Sequence, residues 1–207
     1  MKVLVLSPYS SKLEGPIKAA GDEVLFEANP VSGEYCEREG IDFIVSYGYR
    51  HIIRKDVLDM LRDRIINLHI SLLPWCRGAH PVFWSVVEKR PLGITIHLID
   101  ECLDTGPLLV QKELISELDR PYETFRSVYD FLSRSIENLF QSNWQSLRTS
   151  SVPGLAQEGR GSLHRASELK EWIEFMPTHW DTPIADFLKL ADAKIKRYNS
   201  ERHVQLS

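Results

Sequence analysis

The run Asn67-Leu68-His69-Ile70-Ser71-Leu72-Leu73-Pro74 constrains this chain more than any other stretch. Ile65 and Ile66 lead into it, and a short apolar run of that kind reads as a strand. Side chains alternate across a strand, so Asn67, His69 and Ser71 share one face and Ile66, Leu68 and Ile70 the other. A polar face ending in Leu73-Pro74 is the pattern of a strand whose end opens into a site. Pro74 cannot donate to a ladder and biases Leu73 towards an extended conformation. The sequence continues as Trp75-Cys76-Arg77-Gly78-Ala79-His80-Pro81, then Gly93 to His97, then Leu103-Asp104-Thr105-Gly106.

The rest of the chain supplies a frame for that strand. Val3 to Leu6, Val24 to Phe26 and Ile41 to Val45 read as strands, the first a continuous apolar run suited to burial in a parallel sheet. Between them, one helix starts either with a Ser11/Glu14 capping box or with Pro16 at its first position, and stops at Gly21. A second spans Gly33 to Glu39, before Gly40. Arg54 to Leu61 and Pro81 to Lys89 read as helices, Gly93 to Ile99 and Leu108 to Lys112 as strands. Pro121 to Trp144 is the longest helix, its Tyr122, Phe125, Tyr129, Leu132, Ile136, Leu139 and Phe140 forming one broad apolar face for core packing. Strands alternating with helices predict an α/β fold: a Rossmann-like, mostly parallel twisted sheet flanked by helices. Ligands of such sheets bind outside the carboxyl ends of the strands. The turn at Ser7–Ser11 and the loops at Tyr47–Arg50 and Ser71–His80 are therefore expected on one edge. Residues 1–148 read as the catalytic domain. Residues 149–207 read as a Ser-, Gly- and Pro-rich loop and a small helical appendage, with helices near Ala166–Phe175 and Pro183–Arg197 and a weakly anchored last ten residues.

Composition narrows the function classes. With 43% apolar residues in 207, the chain has the means for a substantial core. Its 25 basic and 29 acidic residues give a formal charge of -4, which argues against a surface devoted to nucleic acid or anionic membrane. Cys36, Cys76 and Cys102 form neither a CxxC pair nor a disulfide framework, as expected in a reducing cytoplasm. The first apolar run is too short for a signal peptide, and no stretch approaches the roughly 20 apolar residues of a membrane span.

Asn67, His69 and Asp104 carry the chemistry that residue types alone suggest. Histidine is the side chain best poised for proton transfer near neutral pH, an adjacent Asn amide is suited to donate to an oxyanion, and Asp104 can orient the imidazole or take a proton. The same residues also fit a buried histidine beside a shaped turn, or a Ser71-His69-Asp104 hydrolase triad lacking a G-x-S-x-G elbow. His69, His80, His97 and the cysteines show no familiar metal-ligand spacing, so no metal is expected. No G-x-G-x-x-G and no Walker sequence is present.

Taken together, Asn67-Leu68-His69-x-Ser71-Leu72-Leu73-Pro74, Arg77-Gly78, Pro81, Gly93-Ile94-Thr95-Ile96-His97 and Asp100-Glu101-x-Leu103-Asp104-Thr105-Gly106 resemble the formyltransferases that use 10-formyltetrahydrofolate. The resemblance covers about residues 41 to 115. It implies an N-formyltransferase with Asn67, His69 and Asp104 as the catalytic set. It places the folate in a pocket made by Tyr49, Arg50, His51, Ile52 and Ile53 on one side and His97, Ile99, Asp100 and Leu103 on the other. Ser7-Pro8-Tyr9-Ser10-Ser11-Lys12 stands where the glycinamide ribonucleotide branch has a Gly- and Ser-rich phosphate loop. The methionyl-tRNA branch implies a further β-barrel domain, for which about 50 residues remain. Trp75 through Trp84, Tyr47-Gly48-Tyr49-Arg50, Gly161-Ser162-Leu163-His164 and Trp180-Asp181-Thr182-Pro183 are most similar to the amino-sugar formyltransferases of surface-polysaccharide pathways, such as lipopolysaccharide O-antigen biosynthesis. The expected acceptor is the primary amine of a nucleotide-linked amino sugar, dTDP-linked in the first instance. Tyr9, Lys12, Trp75, Arg77 and His80 are its candidate binding residues, and Arg50 a further phosphate anchor. In the expected mechanism Asp104 holds His69 protonated while His69 and Asn67 donate to the oxyanion. The alternatives are a glycinamide ribonucleotide acceptor, or an idle folate- or nucleotide-sensing protein of the same fold. A cytoplasmic location is expected, and a homodimer is left open.

Overall fold

The apolar runs of the central strands are buried on both faces, by one set of helices on each side. In a computed structural model, residues 1–9, 12–114 and 123–204 are described, the side chains of 202–204 excepted. The strands are β1 (Lys2–Leu6), β2 (Glu23–Glu27), β3 (Phe43–Tyr47), β4 (Ile65–His69), β5 (Arg77–Gly78), β6 (Gly93–Leu98), β7 (Leu108–Glu113) and β8 (Leu163–His164). The helices are α1 (Glu14–Ala19), α2 (Gly33–Glu39), α3 (Lys55–Met60), α4 (Pro81–Val87), α5 (Phe125–Leu147), α6 (Ile184–Leu190) and α7 (Asp192–Val204). Six strands form one sheet in the order β2-β1-β3-β4-β6-β7, and β5 pairs with β8 in a small second sheet. The joins from β2 to β4 are parallel, whereas β4–β6 and β6–β7 are antiparallel. The expected Rossmann-like, mostly parallel sheet is thus present, with an antiparallel edge.

Alternation along the strands divides the core into two layers. Val3, Val5, Phe43, Val45, Ile66 and Leu68 pack towards α1, α4 and α5. Leu4, Leu6, Ile44 and Ile65 pack towards Cys36 and Val57 of α2 and α3. Along α5 the buried stripe runs through Phe125, Val128, Leu132, Ile136, Phe140, Trp144 and Leu147. Tyr129, expected on that stripe, lies at its margin with its hydroxyl donating to the Tyr9 hydroxyl at 3.1 Å. Pro121 and Tyr122 fall outside the described residues, as do Ser10 and Ser11 and with them the capping box. The helix after β1 begins at Glu14 instead, which puts Pro16 at its third position. A helix leaves its first amides without intrahelical partners, so a missing N–H costs little there. At the next helix Ser32 accepts from the Tyr35 N–H, and Gly40 closes it with φ 64°.

The largest departure from expectation is the C-terminal third. The loop after α5 does not leave the domain: Leu155 exchanges both backbone hydrogen bonds with Leu108 of β7. Trp172, Met176, Phe187, Ala191 and Ile195 share one cluster with Phe83, Trp84 and Phe125. Residues 149–204 are therefore a covering layer of the main core, and the boundary at 148 cuts through its packing. Ala166–Phe175 is a 3-10 helix, and the single helix expected over Pro183–Arg197 is two, meeting at the buried Ala191. Asn199 is tied as well, its amide donating to the Val87 carbonyl at 2.9 Å, and residues 205–207 lie outside the described residues.

Candidate active site

β4 ends at the sheet edge where its polar face meets two loops. Asn67 and His69 lie on one side of the strand, as alternation requires, and both turn to Asp104. The Asn67 amide nitrogen donates to Asp104 Oδ1 at 3.1 Å, and His69 Nδ1 stands 3.6 Å from Oδ2. The Gly78 N–H donates to Oδ2 at 2.8 Å. Asp104 adopts φ 53°, in the left-handed region that short polar side chains tolerate best. Its loop is held by Asp100, whose Oδ1 accepts from the Cys102 N–H and the Thr105 hydroxyl. A Cβ on Gly106 would overlap the Leu98 carbonyl oxygen, so only glycine lets the loop pass so close to β6.

His97 has a different place from the one expected. Asn67 and His97 are directly opposed across the β4–β6 ladder, and on its other side β6 shifts register against β7 between Ile96 and His97. The ring of His97 is buried beneath the polar cluster, Nδ1 donating to the Leu98 carbonyl at 2.7 Å. Nε2 then carries the lone pair and faces Asn67 Nδ2 at 3.3 Å and Asp104 Oδ1 at 3.5 Å. His97 is therefore buried in support of Asn67 and Asp104. Because Asp104 and His97 both face Asn67 with acceptors, its amide nitrogen uses both hydrogens, and its oxygen is what remains for a ligand.

The electrostatics separate the roles. Burial pushes His69 below its ordinary value, with His97 acting in the same sense and Asp104 and the Cys76 carbonyl opposing. Burial would raise Asp104, but the neighbouring His69 and the Gly78 N–H hold it well below the usual carboxylate range. Burial and the Asp104 carboxylate thus act on the His69 imidazole in opposite senses. The proton on that imidazole is located by its other side: Nε2 lies 3.1 Å from the Cys76 carbonyl, which can only accept. Nδ1 faces the Asp104 carboxylate.

The two loops expected to hold folate lie next to this cluster. Lys55, just after the first, pairs with Glu101 of the second at 2.5 Å. Ile52 is 85% exposed and Leu103 53%, two bare apolar side chains beside a polar centre. Ile53 is buried and Ile99 packs with it in the lower core, where the Ile99 N–H donates to the Ile65 carbonyl. The Tyr49 hydroxyl donates to the Asn29 carbonyl and its ring meets that of His51, which is exposed along with Arg50.

The five acceptor candidates separate into three groups. Lys12 pairs with Glu137, which also accepts from the Tyr47 hydroxyl, and Tyr9 meets Tyr129. His80 packs on Trp180. Trp75 and Arg77 instead line a cavity of about 930 Å³, together with Arg90, Arg160, Leu163 and Lys196. The Arg90 guanidinium lies 3.5 Å over the Trp75 ring. Gln157 escaped sequence reasoning. Its carbonyl accepts from Arg77 and its amide donates to the Asp104 and Gly106 carbonyls, both at 2.9 Å. Nothing local marks it: a Gln in a Gly- and Pro-rich stretch acquires this position only from the folding-back of that stretch.

Among the described residues there is no group of three or more metal-ligating side chains, and no helix is long and apolar enough to cross a membrane. Comparison with known proteins agrees with the geometry. The sequence model of the formyl transferase family matches residues 25–130. The formyltransferase PseJ from Anoxybacillus kamchatkensis, solved with UDP-4,6-dideoxy-4-formamido-L-AltNAc and tetrahydrofolate, is 36% identical with a TM-score of 0.84, covering 90% of this chain and 97% of that one. A sugar N-formyltransferase from Shewanella sp FDAARGOS_354 shares the fold, with a TM-score of 0.72 over 92% of this chain and 87% of that one at 22% identity. Methionyl-tRNA formyltransferase of Syntrophus aciditrophicus (strain SB) is 33% identical over 72% of this chain and 49% of that protein. The chain spans between 24% and 49% of the length of the curated relatives it matches first.

Proposed function

From a chain that belongs to the formyl transferase family, we propose an N-formyltransferase that moves the formyl group of 10-formyltetrahydrofolate to the amine of a nucleotide-linked 4-amino-4,6-dideoxy sugar. The observation that supports transfer to an amine is the buried His69 ring set between the Cys76 carbonyl, 3.1 Å from Nε2, and the Asp104 carboxylate, 3.6 Å from Nδ1. The folate supplies an activated formyl carbon bound to a leaving nitrogen. A C–N bond forms between amine and formyl carbon, the bond to the folate nitrogen breaks, and one proton passes from the amine to that nitrogen. His69 Nδ1 takes the proton from the attacking amine, and Asp104 stabilises the imidazolium that results. Asn67 keeps Asp104 aimed and presents its amide oxygen to the amine N–H. Placing these groups around a near-attack geometry is itself a large part of the acceleration.

Ile52 and Leu103 fit a flat, partly apolar ring system, and the polar backbone of their loops fits its hydrogen-bonding edge. On the acceptor side, Gly78 touches Asp104 while its neighbour Arg77 reaches the cavity wall, so the nucleotide's pyrophosphate rests against Arg77, Arg90 and Arg160. Uridine diphosphate is favoured over the dTDP first expected, because the relative matched over 97% of its length was solved with a UDP sugar. The setting is cytoplasmic surface-polysaccharide synthesis. A titration with UDP-4-amino-4,6-dideoxy-L-AltNAc tests the acceptor: substituting Arg77 should raise KM for the sugar nucleotide and leave KM for the folate unchanged. An equal rise in both would contradict this placement.

A further inference from the structure

The carbonyl that fixes the His69 proton belongs to a residue in an unusual conformation. Cys76 has φ 58°, in the left-handed region that a non-glycine residue enters only when its surroundings hold it there. Its thiol is buried and pushed up to about 12, burial being the main cause, so it is no nucleophile. What holds Cys76 is Ser162, which meets this segment three times. The Ser162 N–H donates to the Pro74 carbonyl at 3.1 Å and its carbonyl accepts from the Arg77 N–H at 2.9 Å. Its hydroxyl accepts from the Cys76 N–H at 2.8 Å. That hydroxyl in turn donates to Glu88 Oε2 at 2.6 Å.

Glu88 is fixed from its other side. Its Oε1 lies 2.8 Å from His164 Nε2, whose ring is buried and stacked 3.8 Å from Trp84, and His164 Nδ1 lies 3.2 Å from Glu168. Arg90, the Tyr198 hydroxyl and the Cys76 thiol also face Glu88, at 3.9, 3.5 and 3.9 Å. A Ser hydroxyl that donates to a fixed carboxylate has its lone pairs aimed elsewhere, here at the Cys76 N–H.

We propose that Ser162, oriented by Glu88, is a positioning residue for the catalytic imidazole: it locks Cys76 so that the Cys76 carbonyl holds the proton on His69 Nε2 and keeps Nδ1 free. It touches neither substrate. The groups facing His69 itself are Asp104 and His97; the Asp104 carboxylate draws a proton towards Nδ1, so the Cys76 carbonyl is the contact that sets it on Nε2. The covering layer of residues 149–204 thereby enters catalysis, because Ser162 comes from it. The catalytic consequence rests on the function proposed above; the tautomer does not.

Ser162→Ala removes only the hydroxyl link, since the two backbone contacts remain, and Ser162→Thr keeps it. Nitrogen NMR of histidine-labelled protein, with His69 assigned through His69→Asn, reads the tautomer without any substrate. The wild type should show a proton on Nε2 and a lone pair on Nδ1. Ser162→Ala should show a mixture of tautomers, and Ser162→Thr should restore the wild-type signal. With 10-formyltetrahydrofolate and UDP-4-amino-4,6-dideoxy-L-AltNAc, Ser162→Ala should lose about tenfold to 10²-fold in kcat with KM for the folate unchanged. Glu88→Gln, which leaves one oxygen to serve two donors, should fall between the two if Ser162→Ala does not fold. An unaltered tautomer in whichever of these variants folds would overturn the proposal. So would a kcat loss that Ser162→Thr shares. Were no amine formylated at all, the function would fail while the tautomer result still decided this inference.

Discussion

Both hydrogens of the Asn67 amide are engaged, by Asp104 and by His97 Nε2, so the residue acts first as a spacer between acceptors. Asn67→Ala should lower kcat by about 10²-fold, comparable to removing a positioned donor. Asn67→Asp should be worse still, because it sets a second carboxylate against Asp104; steady-state kinetics of the two variants decides, and an Asn67→Asp enzyme faster than Asn67→Ala would refute the spacer role. The burial of His69 has a pH consequence with a definite sign. Its value in the fold lies below the unfolded one of about 6.5, so between the two the unfolded chain binds the extra proton and stability falls as pH drops. The acid limb of kcat/KM should likewise lie below pH of about 6.5, and His69→Gln should flatten the change in Tm over that range. An acid limb above that value would mean the imidazole is held protonated. At this scale the sequence was informative where local rules sufficed. Strand alternation puts Asn67 and His69 on one face, but the burial that pushes His69 below its ordinary value, and the cross-strand partner that turns His97 inward, depend on chain segments far away.

Among the elements, the Asp104 loop and the two apolar loops bear the weight. Gln157 holds the carbonyls of Asp104 and Gly106 and the guanidinium of Arg77 at once. Gln157→Leu leaves these groups without that partner, at a cost of about 1–3 kcal/mol. The expected outcome is a lower midpoint in urea and a lower kcat together; a normal kcat would show that the loop keeps its shape unaided. Ile52 and Leu103 behave oppositely because they are exposed in the free protein. Truncating either to Ala should leave Tm within experimental error, as for other surface positions. The same change should weaken folate binding by about 1.5–3 kcal/mol, the worth of burying one such side chain. Calorimetry with a folate analogue reads this directly. Elements were the most legible level: α2 is bounded by Ser32 and Gly40, and α4 starts at Pro81 as its cap chemistry dictates. The antiparallel β6 and β7 were legible as strands but not in direction, since a hydrophobic run carries no sign of its partner.

For the molecule as a whole, the C-terminal layer changes the reading of the domain. A Ser-, Gly- and Pro-rich stretch ordinarily signals a departing linker, yet here it runs back along β7 and places Gln157 and Ser162 behind the catalytic cluster. Phe187 is fully buried against Phe83, Phe125 and Trp172. Phe187→Ala should cost about 3–5 kcal/mol and lower a single unfolding transition, rather than detach a C-terminal piece in a separate one. Two well-separated transitions in a thermal scan would restore the appendage. The central claim concerns the reaction, and one measurement addresses it most directly. The purified protein is given 10-formyltetrahydrofolate with UDP-4-amino-4,6-dideoxy-L-AltNAc, glycinamide ribonucleotide or methionyl-tRNA in separate reactions, and both tetrahydrofolate and the formylated amine are quantified. The predicted result is one formamide per tetrahydrofolate with the sugar nucleotide, abolished in His69→Ala. Formylation of glycinamide ribonucleotide or methionyl-tRNA with the sugar nucleotide inert would contradict the acceptor, and no formylation of any amine would contradict the transferase itself.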